Sequence, residues 1–212
     1  MTFYRKCVLG LALAALAVGP ADAARKSGLT GAAFLKIGVG ARAVGLGSAY
    51  TTVAGDATQL FWNPAGIAIK SGTQATLNYN QWIADLGHSA VGVTRKFGSL
   101  GTIGIGVVSL DMSGIASDRD IVPSFIEDFE PFDTNSGSYD YSDLAIGVSW
   151  ARQVTDKLAM GITGKMISQS IDDESATAFA LDVGALYHIG FRGARIGARL
   201  NNLGSDIDFF DR

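Results

Sequence analysis

The chain is poor in cysteine, proline and charge. Of its 212 residues, one is cysteine, four are proline and 17% are charged, where an ordinary soluble domain has about 25% charged residues. The single cysteine, Cys7, lies in the leader described below, so the remaining chain has no disulfide, thiol nucleophile or cysteine metal site. The net charge of −3 comes without a basic patch, which argues against nucleic acid as a partner.

The sequence also lacks a hydrophobic run long enough to span a bilayer, and its longest apolar run belongs to a predicted leader. Arg5 and Lys6 precede an apolar run at residues 8–18, and the run ends at Gly19-Pro20. An A-x-A site follows, which predicts a signal peptide at 1–23 cleaved between Ala23 and Ala24. A helix that spans a bilayer needs about 20 apolar residues. If the exported chain is bound to a membrane, we therefore expect it to be bound as a β-barrel.

Glycine, in contrast, is abundant. There are 27 glycines, and hydrophobic residues make up 48% of the chain, so too much apolar surface needs burial for the chain to be disordered. A glycine-rich, weakly charged and apolar composition leaves two classes, a compact β protein or a membrane β-barrel.

Residues 24–72 combine glycine with short helical signals. Pro64 is expected to open a helical turn that Asn63 caps. The Gly38-x-Gly40 run does not fit a dinucleotide site, because no strand precedes it and Ala43 occupies the place of the third glycine. The glycines are predicted to bend a plug segment tightly. The candidate plug or gate residues are Gly38, Gly40, Arg42, Gly45, Gly47, Asp56, Trp62, Asn63, Pro64, Ala65 and Gly66.

From residue 73 the apolar residues recur at every second position. This pattern predicts seven strands, at 74–80, 88–97, 102–111, 143–151, 157–165, 177–189 and 195–201. One face of each strand is apolar, and the other carries glycine, alanine, serine and threonine, with Leu186 as an exception. Inward glycines are expected at 92, 104, 106, 147, 161, 184 and 197. A soluble sandwich alternates in the same way, but its wet face more often carries lysine and glutamate, so the pattern favours a transmembrane barrel.

The predicted connections and the aromatic residues fit a barrel as well. Tight connections are expected at 98–101, 155–157 and 190–193, an intermediate one at 172–175 and a long acidic one at 114–140, as in barrels with short periplasmic turns and longer outer loops. The long connection is interpreted as a solvated outer loop. Aromatic residues near strand ends would suit interfacial girdles; they are Tyr79, Trp82, Phe97, Tyr141, Trp150 and Tyr187.

Few side chains in the sequence could carry chemistry. The small-residue faces hold five candidate lumen-facing residues, His88, Asp182, His188, Arg195 and Arg199. The two histidines could meet in a lumen, where lining residues are the simpler interpretation. The two arginines could pair with Asp182 or contact the plug. Because no nucleophile, metal or nucleotide motif is present, the sequence predicts no enzymatic activity, no cofactor and no metal site.

Four stretches together resemble a known family. Residues 34–50 (FLKIGVGARAVGLGSAY), Asp56-Ala57, Trp62-Asn-Pro-Ala-Gly66 and Trp82-Ile-Ala-Asp85 resemble the PorV/PorQ family, which belongs with the FadL-type outer-membrane barrels. The resemblance implies a fourteen-stranded barrel with an N-terminal hatch, here 24–72, inside its lumen. Since residues 73–212 supply about seven strands, we expect a partial barrel and a C-terminally truncated copy.

The resemblance also implies a location and two possible roles. The location is the outer membrane of a Gram-negative-type bacterium, with membrane lipid as a partner. The first role is in type IX protein secretion, with secretion-system subunits and secreted cargo as partners. The second is FadL-like transport of hydrophobic small molecules such as long-chain fatty acids or hydrocarbons, with the hatch as a gate. A soluble periplasmic β-sandwich that binds a ligand is the third alternative.

Overall fold

The computed structural model describes residues 31–116, 138–205 and 207. The predicted signal peptide, its cleavage site at Ala23 and Ala24, and most of the acidic 114–140 connection lie outside the described residues.

The sheet is built from seven antiparallel strands in sequence order. Each strand pairs with the next along the chain, and within the described residues β1 and β7 do not pair with each other. The prediction of seven strands is confirmed, and the sheet they form is open rather than closed into a barrel. The strands are β1 (Thr73–Gln81), β2 (Gly87–Lys96), β3 (Thr102–Ala116), β4 (Ser138–Gln153), β5 (Leu158–Ile171), β6 (Glu174–His188) and β7 (Arg195–Gly204).

One predicted connection is wrong. Residues 172–175 were expected to link β5 and β6, but Ile171 pairs with Glu174 and only two residues make the turn. Asp172 has φ 53° there, and aspartate adopts this left-handed conformation more readily than most residues. The strands therefore extend beyond the apolar stretches that the alternation detects.

The two faces of the sheet are buried in the reverse of the usual way. The face that carries glycine, alanine, serine and threonine, here named the small-residue face, is buried, and the face named the apolar face is exposed. The seven predicted inward glycines all lie on the small-residue face, as expected. Large exposed side chains on the apolar face include Leu77, Val93, Ile105, Val148, Trp150, Ile162, Phe179, Tyr187 and Leu200.

One aromatic residue does not take the position that the sequence suggested. Tyr141 is not a girdle residue, because its hydroxyl donates to Asp143 on the same small-residue face at 2.5 Å. Leu186, the exception in β6, lies on the small-residue face as the alternation implies, and it is fully buried there, where it packs with Ala65 and Ile67.

Residues 32–69, here named the N-terminal segment, cover the small-residue face. The segment holds a 3₁₀ helix at Ala33–Lys36, α1 at Ala41–Gly45, and 3₁₀ helices at Ala57–Phe61 and Pro64–Ala68. Two further 3₁₀ turns, Ile83–Asp85 and Gly98–Leu100, connect strands. None of the helices in the described residues is long and apolar enough to cross a membrane.

The sheet curls around this segment. Thr58 contacts Thr76 of β1 with 3.3 Å between the hydroxyl oxygens, and the carbonyl of Trp62 accepts from Arg199 of β7 at 2.7 Å. Because Thr58 and Trp62 are only four positions apart, the two edge strands lie on either side of one short stretch of chain. The core consequently lies between the segment and the sheet, not between two sheets.

Candidate functional site

The candidate site is the interface between the N-terminal segment and the small-residue face, and glycines make it possible. A Cβ atom built on Gly161 of β5 would lie 2.5 Å from the carbonyl carbon of Pro64 and 2.6 Å from the amide nitrogen of Ala65. A Cβ on Gly104 would lie 2.5 Å from Leu60, and one on Gly197 would lie 2.9 Å from the Thr51 carbonyl oxygen. The segment thus approaches the sheet at distances that only glycine allows.

Both polar atoms of the Asn63 side chain make hydrogen bonds that hold the segment in place. Its side-chain oxygen accepts from the amide of Ala65 at 3.1 Å, and Pro64 occupies the first position of the following turn. The predicted cap is therefore confirmed. The Asn63 amide nitrogen also donates to the carbonyls of Thr51 at 2.8 Å and Ala185 at 3.3 Å, so one buried side chain joins two parts of the segment to β6.

Trp62 is the centre of the segment's own core. Its indole nitrogen donates to the Val39 carbonyl at 2.9 Å, and its ring meets Tyr50 edge to face at 5.9 Å between centroids. The Arg199 guanidinium lies over the same ring, 5.2 Å from its centroid. These contacts hold the two predicted motif regions, 38–47 and 62–66, in one unit.

Tyr50 and Asp56 form a second buried contact within the segment. The tyrosine hydroxyl donates to Asp56 at 2.7 Å, and Asp56 also caps the next turn by accepting from the Thr58 amide at 2.9 Å. Burial, followed by this hydrogen bond to Asp56, raises the pKa of Tyr50 to about 12. Arg42 lies 3.9 Å from Asp56 but is mostly exposed, so that pair contributes little.

Asp182 pairs with Lys165, a residue absent from the sequence-based candidates. The Lys165 ammonium lies 2.6 Å from Asp182 and donates to the Asn202 side chain at 2.9 Å. The Asn202 backbone amide in turn donates to Asp182 at 2.8 Å, where the β6–β7 register shifts. The expected contact between an arginine and the plug is made by Arg199 through Trp62, whereas Asp182 makes its ion pair with Lys165.

A cavity of about 340 Å³ opens beside these groups. Its lining combines the apolar side chains of Leu35, Ile37, Val39, Phe61 and Val108 with Lys36, Lys165, Arg199 and two asparagines. One of the asparagines, Asn201, has a buried side-chain oxygen without a hydrogen-bond partner. Asp182 neutralises Lys165, and among the described residues Lys36 and Arg199 make no ion pair, so the cavity is amphipathic with two uncompensated positive charges.

The remaining candidates do not join this cluster. His88 lies at the start of β2, buried with its Nε2 unpartnered, and His188 ends β6 at the opposite end of the sheet. The two histidines therefore do not meet. Arg195 begins β7 and is exposed. A Cβ atom added to Gly45 or Gly47 would have no neighbour within 4 Å. Gly47 bends the segment with φ 64°, whereas Gly45 ends α1 without the bend that the sequence predicted for it.

A further set of hydrogen bonds, which the sequence did not suggest, joins the start of the N-terminal segment to the sheet. The Gln169 side-chain oxygen accepts from the Ala32 amide at 2.9 Å, and its nitrogen donates to both oxygens of Asp143 at 3.0 Å. Lys165, Asp143 and Gln169 all occupy small-residue positions of their strands. A long polar side chain at a small-residue position was the signal that could have identified these residues. For Lys165 this signal lies within the predicted strand at 157–165.

Neither a metal-binding group nor a comparison with known proteins assigns a function to this site. Within the described ranges, no group of three or more histidine, cysteine, aspartate or glutamate residues could hold a metal ion. No family model matches the sequence, and a search of curated proteins finds no match.

Proposed function

We propose that the chain forms part of the wall of an outer-membrane β-barrel, with the N-terminal segment as its plug. The observation that carries this proposal is the reversed burial of the sheet. Val148, Phe179 and Leu200 are 56%, 67% and 62% exposed, while the opposite face is covered. Monomeric soluble proteins rarely leave so large an apolar surface in water, whereas barrels in membranes turn it to lipid.

The dimensions of the apolar face support this proposal. In β6 it runs from Phe179 to Tyr187, about 27 Å along the strand, and a tilt of about 40° reduces this to roughly 21 Å of height. The band ends evenly across neighbouring strands, because Leu144 pairs with Ser109 and Ser168, and Ser168 pairs with Thr177. An apolar band of about 25 Å with polar borders is typical of outer-membrane barrels.

The third alternative, a soluble sandwich, lacks its required partner layer. Such a fold would cover the apolar face with a second sheet. The part of the chain that the structure describes contains one sheet only.

Cysteine accessibility in vesicles tests the membrane assignment. With Cys7→Ser as background, Val148→Cys on the apolar face and Ser175→Cys near the β5–β6 turn are both exposed in the structure. In lipid vesicles we expect a water-soluble maleimide to label Ser175→Cys and to miss Val148→Cys. Equal labelling of the two variants would contradict a lipid-facing wall.

The role that we propose for this wall is in type IX protein secretion, as the PorV/PorQ-like motifs imply. The packed state of the segment supports a plugged lumen, and therefore a docking component rather than an open pore. Deletion in the producing bacterium should remove secreted cargo from the cell surface, and the tagged full-length protein should retain that cargo on purification. Normal cargo display after deletion would contradict this role.

The amphipathic cavity favours a second candidate, transport of hydrophobic small molecules. Its apolar side chains suit an alkyl chain, and Arg199 would meet an acidic headgroup. A fluorescent long-chain fatty acid should then bind the reconstituted protein, and Arg199→Gln should weaken binding about tenfold. Unchanged binding in Arg199→Gln would show that the fatty acid does not bind in this cavity through Arg199.

A further inference from the structure

The two ends of the sheet carry opposite charges. Because the strands alternate in direction, the starts of β1, β3, β5 and β7 and the ends of β2, β4 and β6 lie at one end. Among the residues that the structure describes, this end has one acid, Asp156, and a set of cations here named the basic rim, composed of Lys70, Arg95, Lys96, Arg152, Lys157, Arg192 and Arg195. The described residues of the other end carry no lysine or arginine and form an acidic rim of Asp85, Asp111, Asp140, Asp172, Asp173 and Glu174.

Two cations of the basic rim, Arg95 and Arg152, continue the apolar face. In β2 the exposed row that contains Val93 ends at Arg95, and in β4 the row that contains Val148 and Trp150 ends at Arg152. All rim cations except Lys96 are exposed, and none of them makes an ion pair with another described residue. Arg95 and Arg152 thus lie in line with the surface proposed to contact lipid, whereas Lys96 and Arg195 occupy small-residue positions at the same end of the sheet.

Aromatic rings accompany these cations. The Arg95 guanidinium lies 5.5 Å from the centroid of the Phe97 ring, and Arg192 lies 5.4 Å from that of Phe191. Both rings are exposed, with Phe191 at 66%. Rings beside cationic headgroups are typical of the membrane–water interface, where the apolar part enters the lipid and the charge remains at the level of the phosphates.

We propose that the basic rim binds the phosphate groups of anionic phospholipids in the adjoining leaflet. Unpaired guanidinium groups hold phosphate through paired hydrogen bonds, and basic residues beside a membrane surface attract anionic lipid strongly. The inference rests on the proposed membrane function, and goes beyond it by assigning a lipid class to one end of the molecule. An acidic protein partner would not need the cations to extend the apolar rows.

Two tryptophans at opposite ends provide the test. Trp150 lies two residues before Arg152 on the same face of β4. Trp82 follows β1 at the acidic end, and Trp62 is buried. We would reconstitute the full chain in vesicles containing phosphatidylcholine and phosphatidylglycerol, with one of the two lipids brominated to quench nearby tryptophan. Trp82→Phe leaves Trp150 as the exposed reporter, and Trp150→Phe leaves Trp82.

The expected result is unequal quenching at one end only. Trp150 should show a relative binding constant at least about fivefold higher for phosphatidylglycerol than for phosphatidylcholine, and Trp82 should show no such preference. Arg152→Gln with Lys157→Gln should remove most of the preference, with Arg192→Gln and Arg195→Gln as an independent pair. The matched control, Asp173→Asn with Glu174→Gln at the acidic rim, should retain it.

The possible failures are distinguishable. Equal quenching of Trp150 by both lipids, or a preference unchanged in both glutamine pairs, would overturn the lipid assignment and leave an acidic protein as the partner. If neither exposed tryptophan is quenched by either lipid, the chain does not enter the bilayer, and the membrane function fails as well.

Discussion

Two glycines three residues apart in β5 differ in the space available for a side chain. Gly161 faces the N-terminal segment, where a Cβ atom would meet the backbone of Pro64 and Ala65, whereas Gly164 lies on the exposed face with no atom within 4 Å of such a Cβ. Neither position requires a left-handed backbone, so substitutions there report on space alone.

Gly161→Ala should destabilise the protein by about 1–3 kcal/mol, because the added methyl group forces the segment away from the sheet. Gly164→Ala should change stability by less than about 0.5 kcal/mol. Denaturant unfolding followed by tryptophan fluorescence measures both variants. Equal losses in the two would show that strand glycine matters for a reason other than the close approach.

Asn63 offers a test of which atoms matter at a cap. Asn63→Asp keeps the oxygen that accepts from Ala65 but removes the hydrogen bonds that Asn63 donates to the carbonyls of Thr51 and Ala185. We expect Asn63→Asp to lose at least as much stability as Asn63→Ala, about 2 kcal/mol or more. If Asn63→Asp were as stable as the wild type, only the capping oxygen of Asn63 would contribute to stability.

The N-terminal segment is an element without long helices, held by side chains that bond to its backbone. Gln59 donates to the Tyr50 carbonyl at 3.2 Å, and Trp62, Asn63 and Asp56 each satisfy a further backbone group. Short helices of this length are not stable alone. The segment therefore keeps its shape only while its buried hydrogen bonds are intact.

This dependence predicts a loss of segment structure in alkali. The folded pKa of Tyr50, about 12, exceeds the ordinary value of about 10, so folding favours the protonated hydroxyl. The stability that this group contributes is complete below pH 10 and is lost as the pH rises toward 12. Tryptophan emission between pH 9 and 12 should show the transition, and Tyr50→Phe should weaken its pH dependence; an identical profile would contradict the assignment.

Lys165, Asp182 and Asn202 join three strands where β7 departs from regular register. Lys165→Met leaves a buried carboxylate unpaired, and we expect a loss of about 3–5 kcal/mol. Adding Asp182→Asn removes that charge and should recover part of the loss. A double-mutant cycle measured by unfolding separates these effects, and additive losses would show that the two side chains do not depend on each other.

Elements of this protein were predictable where one local pattern decides them. Period-two alternation located all seven strands, and Asn63-Pro64 located a capped turn. The partners of Asp182 were not predictable, because they depend on which strands meet across the sheet. The inward contact of Tyr141 was missed because this residue lies before the predicted strand at 143–151. Lys165 and Asp182 are 17 positions apart, and their pairing follows from the β5–β6 register, with Thr163 opposite Asp182.

At the scale of the whole molecule, the reversed burial decides how a charge on the apolar face is tolerated. Val148 lies midway between the borders of the apolar face and is 56% exposed. In vesicles, Val148→Arg should destabilise the inserted protein by about 2–4 kcal/mol, whereas an exposed position in water would accept arginine with little change. Unfolding from vesicles checks this, with Ser175→Arg, beyond the polar border of the apolar band near the β5–β6 turn, as the control. Equal stability of the two variants would contradict a lipid-facing position.

The odd number of strands restricts what can complete the sheet. In an uninterrupted antiparallel order, the first and the seventh strand run in the same direction, so both free edges require neighbours of the opposite sense. A second copy placed side by side in the same orientation would offer strands of the wrong sense to both edges. Closure through antiparallel ladders alone therefore needs an odd number of added strands, the outermost two running against β1, and the completed barrel has an even count.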